Sequence, residues 1–496
     1  MKVKRELPIE KNKEYIVEII DNGFEGEGIT KIDGYTIFIQ GAIKGEKCKV
    51  LIVKTTASHA FGKIVEILEP SPVRKEADCN TYKRCGGCSL RHIEYQTTLE
   101  MKQKMVQNLV NKILEEKVEV KQTIGMENPY YYRNKAQYPV GVDKENNPVV
   151  GIFAQRTHEI IPMENCLIQN PVSEIIAKTI IKSIKENKIA VYNEKTGNGL
   201  IRHIVIKVGV RSKEVMCILV VNGERFPQEK IILEDLLKEF RTNQKLKGYQ
   251  LKTVVKSINT KNTNVILGAK NITLYGEGYI YDQLGEYTFK ISPMSFYQTN
   301  PIQTEILYQK AIEFAELKGD EILLDLYCGI GTIGIFASKN AKKVYGIEIV
   351  EDAIKDAKEN AKLNKIENAQ FLCGDVELTL TEVLEKSGKP DVIFVDPPRR
   401  GLDTTTISNI LKVEPSKVVY ISCNPATMVR DLKILEEKYM VQKIQPVDMF
   451  PFTSHVECVA VLQLNMEVIS AISIGYPDEN PRPRPRKKLN EVLEWL

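Results

Sequence analysis

The sequence predicts an α/β protein: a doubly wound parallel sheet, preceded by a small OB-like β-barrel and a middle portion of mixed α+β character. Three observations carry this reading. Apolar strands alternate with helical patterns over residues 291–463, as βαβ crossovers require. Short β-rich runs parted by glycine-containing turns fill residues 8–68, a barrel-like spacing. Residues 75–290 mix strands and helices without an internal repeat. A chain of 496 residues holds about three domains at roughly 150 residues each.

In the first segment the strands are VEII (17–20), TIFI (36–39), KVLIV (49–53) and KIVEIL (63–68). Lys44, Lys47, Lys49 and Lys54 would lie near one surface, either as an RNA-binding module or as an ordinary solvated face. EPSPVR (69–74) reads as a linker, and residues 95–116 as a helix. IRHIVIKVGV (201–210) and VMCILVV (215–221) fit a hairpin. The third segment carries EILLDLY (321–327), KVYGIEI (343–349), AQFLCGD (369–375), DVIFVD (391–396) and KVVYIS (417–422), with a helix at 351–364 between two of them. The tail, 466–496, has Pro-Arg alternation and reads as extended and exposed.

Composition narrows the function. Hydrophobic residues are 43% and charged residues 27%, the range of a soluble globular protein. A net charge of +4 excludes a histone-like tail protein but not a local basic groove. Ten cysteines are too few for a disulfide scaffold. The charged start has no apolar h-region, and no run reaches the roughly 18 apolar residues of a membrane span. The expected compartment is the cytoplasm, where cysteines stay free, metal-bound or catalytic.

Chemistry concentrates at the strand ends. LLDLYCGIGTIG (323–334) runs from a strand through glycines into a helix, with Gly329 and Gly331 allowing a tight turn and close cofactor approach. Glu348 ends the next strand, where an acid accepts ribose hydroxyls. Alone, this fits NAD or S-adenosylmethionine equally. Asp396-Pro397-Pro398 ends a later strand, a stiff edge beside a substrate that a dehydrogenase does not need. Cys423 ends the next, flanked by Ser422 and Asn424-Pro425, a setting that favours a nucleophile over a buried small hydrophobe. His455 and Glu457 precede the last strand.

SPMSFYQTN (292–300), LDLYCGIGT, DPPRRGL, SCNPATMVRDL and DMFPFTSHVE, in this order and spacing, closely resemble the RNA 5-methyluridine (uracil-C5) methyltransferases over residues 8–463. The resemblance implies a class I, Rossmann-like methyltransferase domain at 291–463, a TRAM domain at 8–68 and a middle domain with a cysteine cluster at 75–290. It implies Cys423 as nucleophile and Glu457 as base. Gln298, Tyr327, Glu348 and Asp396 match cofactor-binding positions, Gly329 and Gly331 backbone contacts, and Thr332 and Asp375 weaker contacts of the same kind. Cys79, Cys85, Cys88 and Cys166 resemble the family's [4Fe–4S] ligands, with a zinc site on the three clustered cysteines and His92 as the competing reading.

Uracil C5 is too weak a nucleophile to take a methyl group directly. A thiolate adding at C6 makes an enolate whose C5 can, and a base then removes the C5 proton. The expected activity is S-adenosylmethionine-dependent methylation of a flipped uridine in a structured loop of 23S rRNA, by a monomer without membrane or DNA partners. The rRNA assignment follows from the resemblance, in which members carrying both TRAM and iron–sulfur parts modify large-subunit rRNA. The alternatives are a tRNA uridine-C5 methyltransferase, a non-catalytic RNA-binding or ribosome-assembly protein and an NAD-dependent oxidoreductase. A cytosine-C5 enzyme would carry its cysteine in the Asp-Pro-Pro motif, and an adenine-N6 enzyme an aromatic residue where Arg399 stands.

Overall fold

In a computed structural model, residues 7–155 and 157–465 are described; the Pro/Arg-rich tail lies outside them. Seven strands form the C-terminal sheet: Ile322–Leu326, Lys343–Glu348, Ala369–Cys373, Val392–Val395, Lys417–Ser422, Tyr439–Val447 and Glu457–Leu464. Across the sheet they lie in the order third, second, first, fourth, fifth, seventh, sixth. The first five are parallel and are the five legible in the sequence. The seventh runs antiparallel between the fifth and the sixth, a reversal that apolar patterning alone does not encode.

Short apolar runs such as ILLDL and VIFV are buried on both sides because helices cover both faces. Leu323 and Phe394 face one core, Leu324 and Ile393 the other. The strand order reverses between the first and fourth strands, which opens a crevice beyond their carboxyl ends.

A second seven-stranded sheet lies between Lys135 and Gly276. Its centre is the expected hairpin, Ile201–Val208 against Glu214–Val221. Helices Pro171–Glu186 and Glu229–Thr242 pack on one face. The other face sends Val205, Met216 and Ile218 into the same core as the C-terminal sheet, so the two sheets share apolar packing.

The N-terminal sheet has six short strands between Glu14 and Glu69 and its own core, which includes Ile37, Ile39, Val50 and Ile52. The segment read as a linker is anchored to it. The Arg74 guanidinium donates to Glu46 Oε2 at 2.8 Å, and the buried Glu46 carboxylate also accepts the N–H groups of Ile43 and Ser71. Of the four lysines expected on one surface, Lys47 and Lys49 are paired with Glu69 and Glu14, and Lys44 lines a separate groove.

Helix Tyr95–Ile113 ties the N-terminal half to the C-terminal sheet. Lys102, fully buried, donates to Asp448 Oδ1 at 2.6 Å and to the Phe450 carbonyl at 3.3 Å. The Tyr95 hydroxyl donates to Asp448 Oδ2 at 2.8 Å, and Gln303 Nε2 to the Asp448 carbonyl at 3.0 Å. Burial pulls the Lys102 ammonium below its usual value, and Asp448 opposes that pull. Among the described residues no helix is long and apolar enough to cross a membrane.

Removing one half of a buried ion pair leaves the other charge uncompensated. Lys102→Met is expected to destabilise the protein by about 3–5 kcal/mol, with Asp448→Asn in the same chain recovering part of the loss. Denaturant unfolding of the single and double variants measures both.

Candidate active site

The parallel strands end on one edge of the sheet, and the reversed seventh strand begins on that same edge. Tyr327 therefore follows the first strand, Glu348 ends the second, Asp396 follows the fourth, Cys423 follows the fifth, and Glu457 opens the seventh. All five line a cleft of about 1040 Å³, together with Gln298 and Gly329. Register brings residues of the fifth and seventh strands together. Ser422 lies opposite Cys458, so Cys423 stands one step on, beside Glu457.

Each local conformation has a cause. Asn424 caps helix Pro425–Leu435 by accepting the Ala426 N–H, with proline at the start of the helix; the chain must leave the strand at Cys423. Asn424 Nδ2 also donates to the Arg399 carbonyl at 3.0 Å, which pins the Asp-Pro-Pro loop against the nucleophile's helix. Gly401, at φ +80°, leaves no room for a Cβ beside Asp431 and Arg430. Tyr327 itself holds φ +65°, turning the chain sharply after the first strand.

Gly329 and Gly331 divide. Gly329 has φ +53°, and a Cβ there would meet nothing within 4 Å, so its backbone faces open cleft. Gly331 does not line the cleft: at φ +79° it caps helix Thr332–Ala337, and a Cβ would strike the Phe371 ring. Its glycine is required for the turn and the packing. Thr332 bonds the Tyr308 hydroxyl at 3.0 Å; neither it nor Asp375 lines the cleft.

The Glu348 carboxylate accepts the Gly329 N–H at 3.3 Å and the Val350 N–H at 3.0 Å, which fixes it at the rim. Gln298 is placed by the middle domain: Asn134 Nδ2 donates to its carbonyl at 2.9 Å, and the Asn134 N–H to the Thr299 carbonyl at 2.8 Å.

The cleft floor is acidic. Burial pushes Asp396 up to about 7. Burial, then the neighbouring Asp396 charge, pushes Glu457 up to about 8, with Arg399 pulling the other way. Burial, Glu457 and Asp396 push the Cys423 thiol up to about 11, again against Arg399. At neutral pH Cys423 is therefore a thiol. An uncompensated buried carboxylate such as Asp396 suits a ligand that brings positive charge.

Several cleft residues escaped the sequence reading. Arg399 and His455 were named there without a role, and Phe296 only within a motif; all three line the cleft. So do Gly86, Gly87 and Cys88, which makes the cysteine loop a wall of the cleft. That loop is held by the catalytic edge: the N–H groups of Ser89 and Leu90 donate to the Phe452 carbonyl, and Arg91 stacks on the Phe452 ring at 4.1 Å. The Gly-Gly pair between cysteines was the one available sign.

Cys79, Cys85, Cys88 and Cys166 line one cavity on the far side of this wall. Among the described residues no group of three or more His, Cys, Asp or Glu could hold a metal ion. His92, the fourth ligand of the zinc alternative, does not line this cavity, and its Nδ1 is bonded to the Tyr82 hydroxyl at 2.6 Å. Four thiols around one cavity nonetheless have the donor chemistry of an iron–sulfur cluster. Arg91, on the cavity wall, has Nε and Nη2 buried without a hydrogen-bond partner, which suits an anionic occupant.

A family model described as tRNA (Uracil-5-)-methyltransferase matches residues 94–465, and a TRAM domain model matches 8–65. The chain is 44% identical to an uncharacterised RNA methyltransferase of Clostridium acetobutylicum, over 93% of this chain and 99% of that protein. It is 43% identical to an uncharacterised RNA methyltransferase of Halalkalibacterium halodurans over the same shares. Among solved structures it resembles the Pyrococcus abyssi tRNA (uracil-54, C5)-methyltransferase in complex with S-adenosyl-L-homocysteine, with a TM-score of 0.71 and 27% identity, covering 90% of this chain and 100% of that one.

The raised Glu457 value sets a sign. Between about 4.3, the ordinary glutamate value, and about 8, the folded protein binds more protons than the unfolded chain, so its stability falls as pH rises. Glu457→Gln removes that contribution. Its stability relative to wild type is expected to grow across this window and level off above it, as measured by unfolding midpoints at several pH values.

Proposed function

The chain belongs to the tRNA (uracil-5-)-methyltransferase family, and on that premise we propose that it methylates C5 of a uridine in RNA, with Cys423 as nucleophile and Glu457 as base. The observation that carries this reading is the shared cleft: a thiol and a buried carboxylate on adjacent strand ends, beside Asp396 and Glu348. S-adenosylmethionine supplies an electrophilic methyl group carried on a cationic sulfonium. Glu348, Gln298, Tyr327 and Asp396 would hold it, with the open backbone at Gly329 against it.

The steps asked of the protein follow. Cys423, its thiol proton lost to solvent water, adds to C6 of the uracil ring as the thiolate. Arg399, close enough to favour ionised Cys423, assists. The electron pair moves to C5, which takes the methyl group. Glu457, ionised at that stage, takes the C5 proton, and the Cys423–C6 bond breaks to restore the ring and the thiolate. A base with a value near 8 holds that proton at neutral pH. Because Glu457 is buried within the cleft, the uridine must leave its stack to reach it.

We assign RNA holding to the N-terminal barrel (8–68) and middle segment (75–290), and methyl transfer to 291–463. Cys79, Cys85, Cys88 and Cys166 would hold a [4Fe–4S] cluster, which fixes the cleft wall and takes no part in the transfer. With the TRAM match, this four-cysteine set favours 23S rRNA as substrate. The likeness to the P. abyssi tRNA enzyme favours tRNA as the second reading. Mapping 5-methyluridine in both RNAs from a deletion strain separates them; loss from tRNA alone overturns the rRNA assignment.

Cys423→Ala is expected to abolish both methyl transfer and the covalent protein–RNA adduct. Glu457→Gln should still form the adduct but release product about 10²–10⁴-fold more slowly, so a methylated adduct accumulates on denaturing gels. Equal turnover by Cys423→Ala and wild type refutes the mechanism. Protein purified without oxygen should contain ~4 iron atoms per chain; an iron-free, zinc-loaded preparation refutes the cluster.

A further inference from the structure

The outer face of the N-terminal sheet carries a group of rings that methyl transfer does not use. Along Tyr35–Gln40 the residues Tyr35, Ile37 and Ile39 are buried, and Thr36, Phe38 and Gln40 face outward. The parallel neighbour, His59–Glu69, sets His59 beside Thr36, Phe61 beside Phe38 and Lys63 beside Gln40. The three rings meet, with centroids 5.6 Å apart for Phe38 and His59, 5.1 Å for His59 and Phe61, and 5.9 Å for the two phenylalanines. All three are only half-buried, and neither phenylalanine joins the sheet's core on the opposite face.

Charge and position add to this. Lys54 stands opposite Phe61, and Lys63 beside Gln40. Lys47 and Lys49 on the same strand as Lys54 are neutralised by Glu69 and Glu14; among the described residues Lys54 and Lys63 have no such partner. Gln40 itself lines the methyl-transfer cleft. Phe38 lies two strand residues away, about 6.6 Å, so the rings run to the edge of the cleft.

We infer that this face is a stacking site for bases of the single-stranded RNA next to the target uridine, with Lys54 and Lys63 on its phosphates. The inference rests on the reading of the protein as an RNA uridine methyltransferase. Rings accept any base face, and cations follow the backbone, so the contact is sequence-tolerant. It gives the flanking strand a fixed path into the cleft, while the cleft alone selects uridine.

The test uses the full-length protein and two fluorescent probes, a 12-nucleotide oligouridylate and the same chain without bases. Phe38→Ala with His59→Ala should lower oligouridylate affinity roughly tenfold, leave binding of the base-free chain unchanged, and raise KM for RNA with kcat kept. Phe38→Trp should restore binding. Lys54→Ala and Lys63→Ala should each reduce the slope of log affinity against log salt by about 0.7. Unchanged oligouridylate affinity in the double variant, or an equal loss for the base-free chain, overturns the inference. Absence of 5-methyluridine formation by wild type overturns the functional reading instead, and the binding measurement still stands.

Discussion

The buried pair of Lys102 and Asp448 is the constraint on which the site's geometry rests. Asp448 closes the sixth strand, and the chain must then turn back to start the seventh with Glu457. Every hydrogen-bonding group of Asp448 is engaged from elsewhere: Lys102 and Tyr95 on its carboxylate, Gln303 on its carbonyl, and the Ile124 carbonyl accepting its N–H. Asn300 holds the next residue through the Met449 carbonyl. A loop that would otherwise be surface chain is thus held by helices from both halves of the molecule, and it delivers His455 and Glu457 at fixed positions.

The electrostatics of the cleft follow from that burial. Three protonatable groups, Asp396, Cys423 and Glu457, are all pushed upward chiefly by exclusion from water; Asp396 then raises Glu457, and both carboxylates raise Cys423. Arg399 is the cation that works against the trend for the thiol and for Glu457. The resting site is therefore close to neutral, and its reactive charges form when the cleft is filled.

The C-terminal sheet was legible because five buried parallel strands leave five apolar runs, and because glycines, paired prolines and a cysteine stand where those runs end. The proposed roles of Cys423 and Glu457 come only from the order of the motifs, since Glu457 alone reads as a strand-end charge. Other features were not legible. The reversal of the seventh strand depends on long-range pairing. The packing of Gly331 against the Phe371 ring joins residues 40 positions apart. EPSPVR looked like a free linker, yet Arg74 returns to Glu46. Lys102 stands in a stretch read only as a helix; its partner lies 346 residues away, beyond any local pattern.

The pairing of Ser422 with Cys458 has a consequence for how the site can vary. Side chains on a strand alternate between faces, so a slip of one residue would exchange Glu457 for Val456 or Cys458 and turn the carboxylate away. The spacing of nucleophile and base is therefore quantised. Thermal motion and sequence drift in the surrounding loops can stretch or shorten the cleft, but they cannot alter that spacing by degrees; it is either kept by the whole ladder or lost with it.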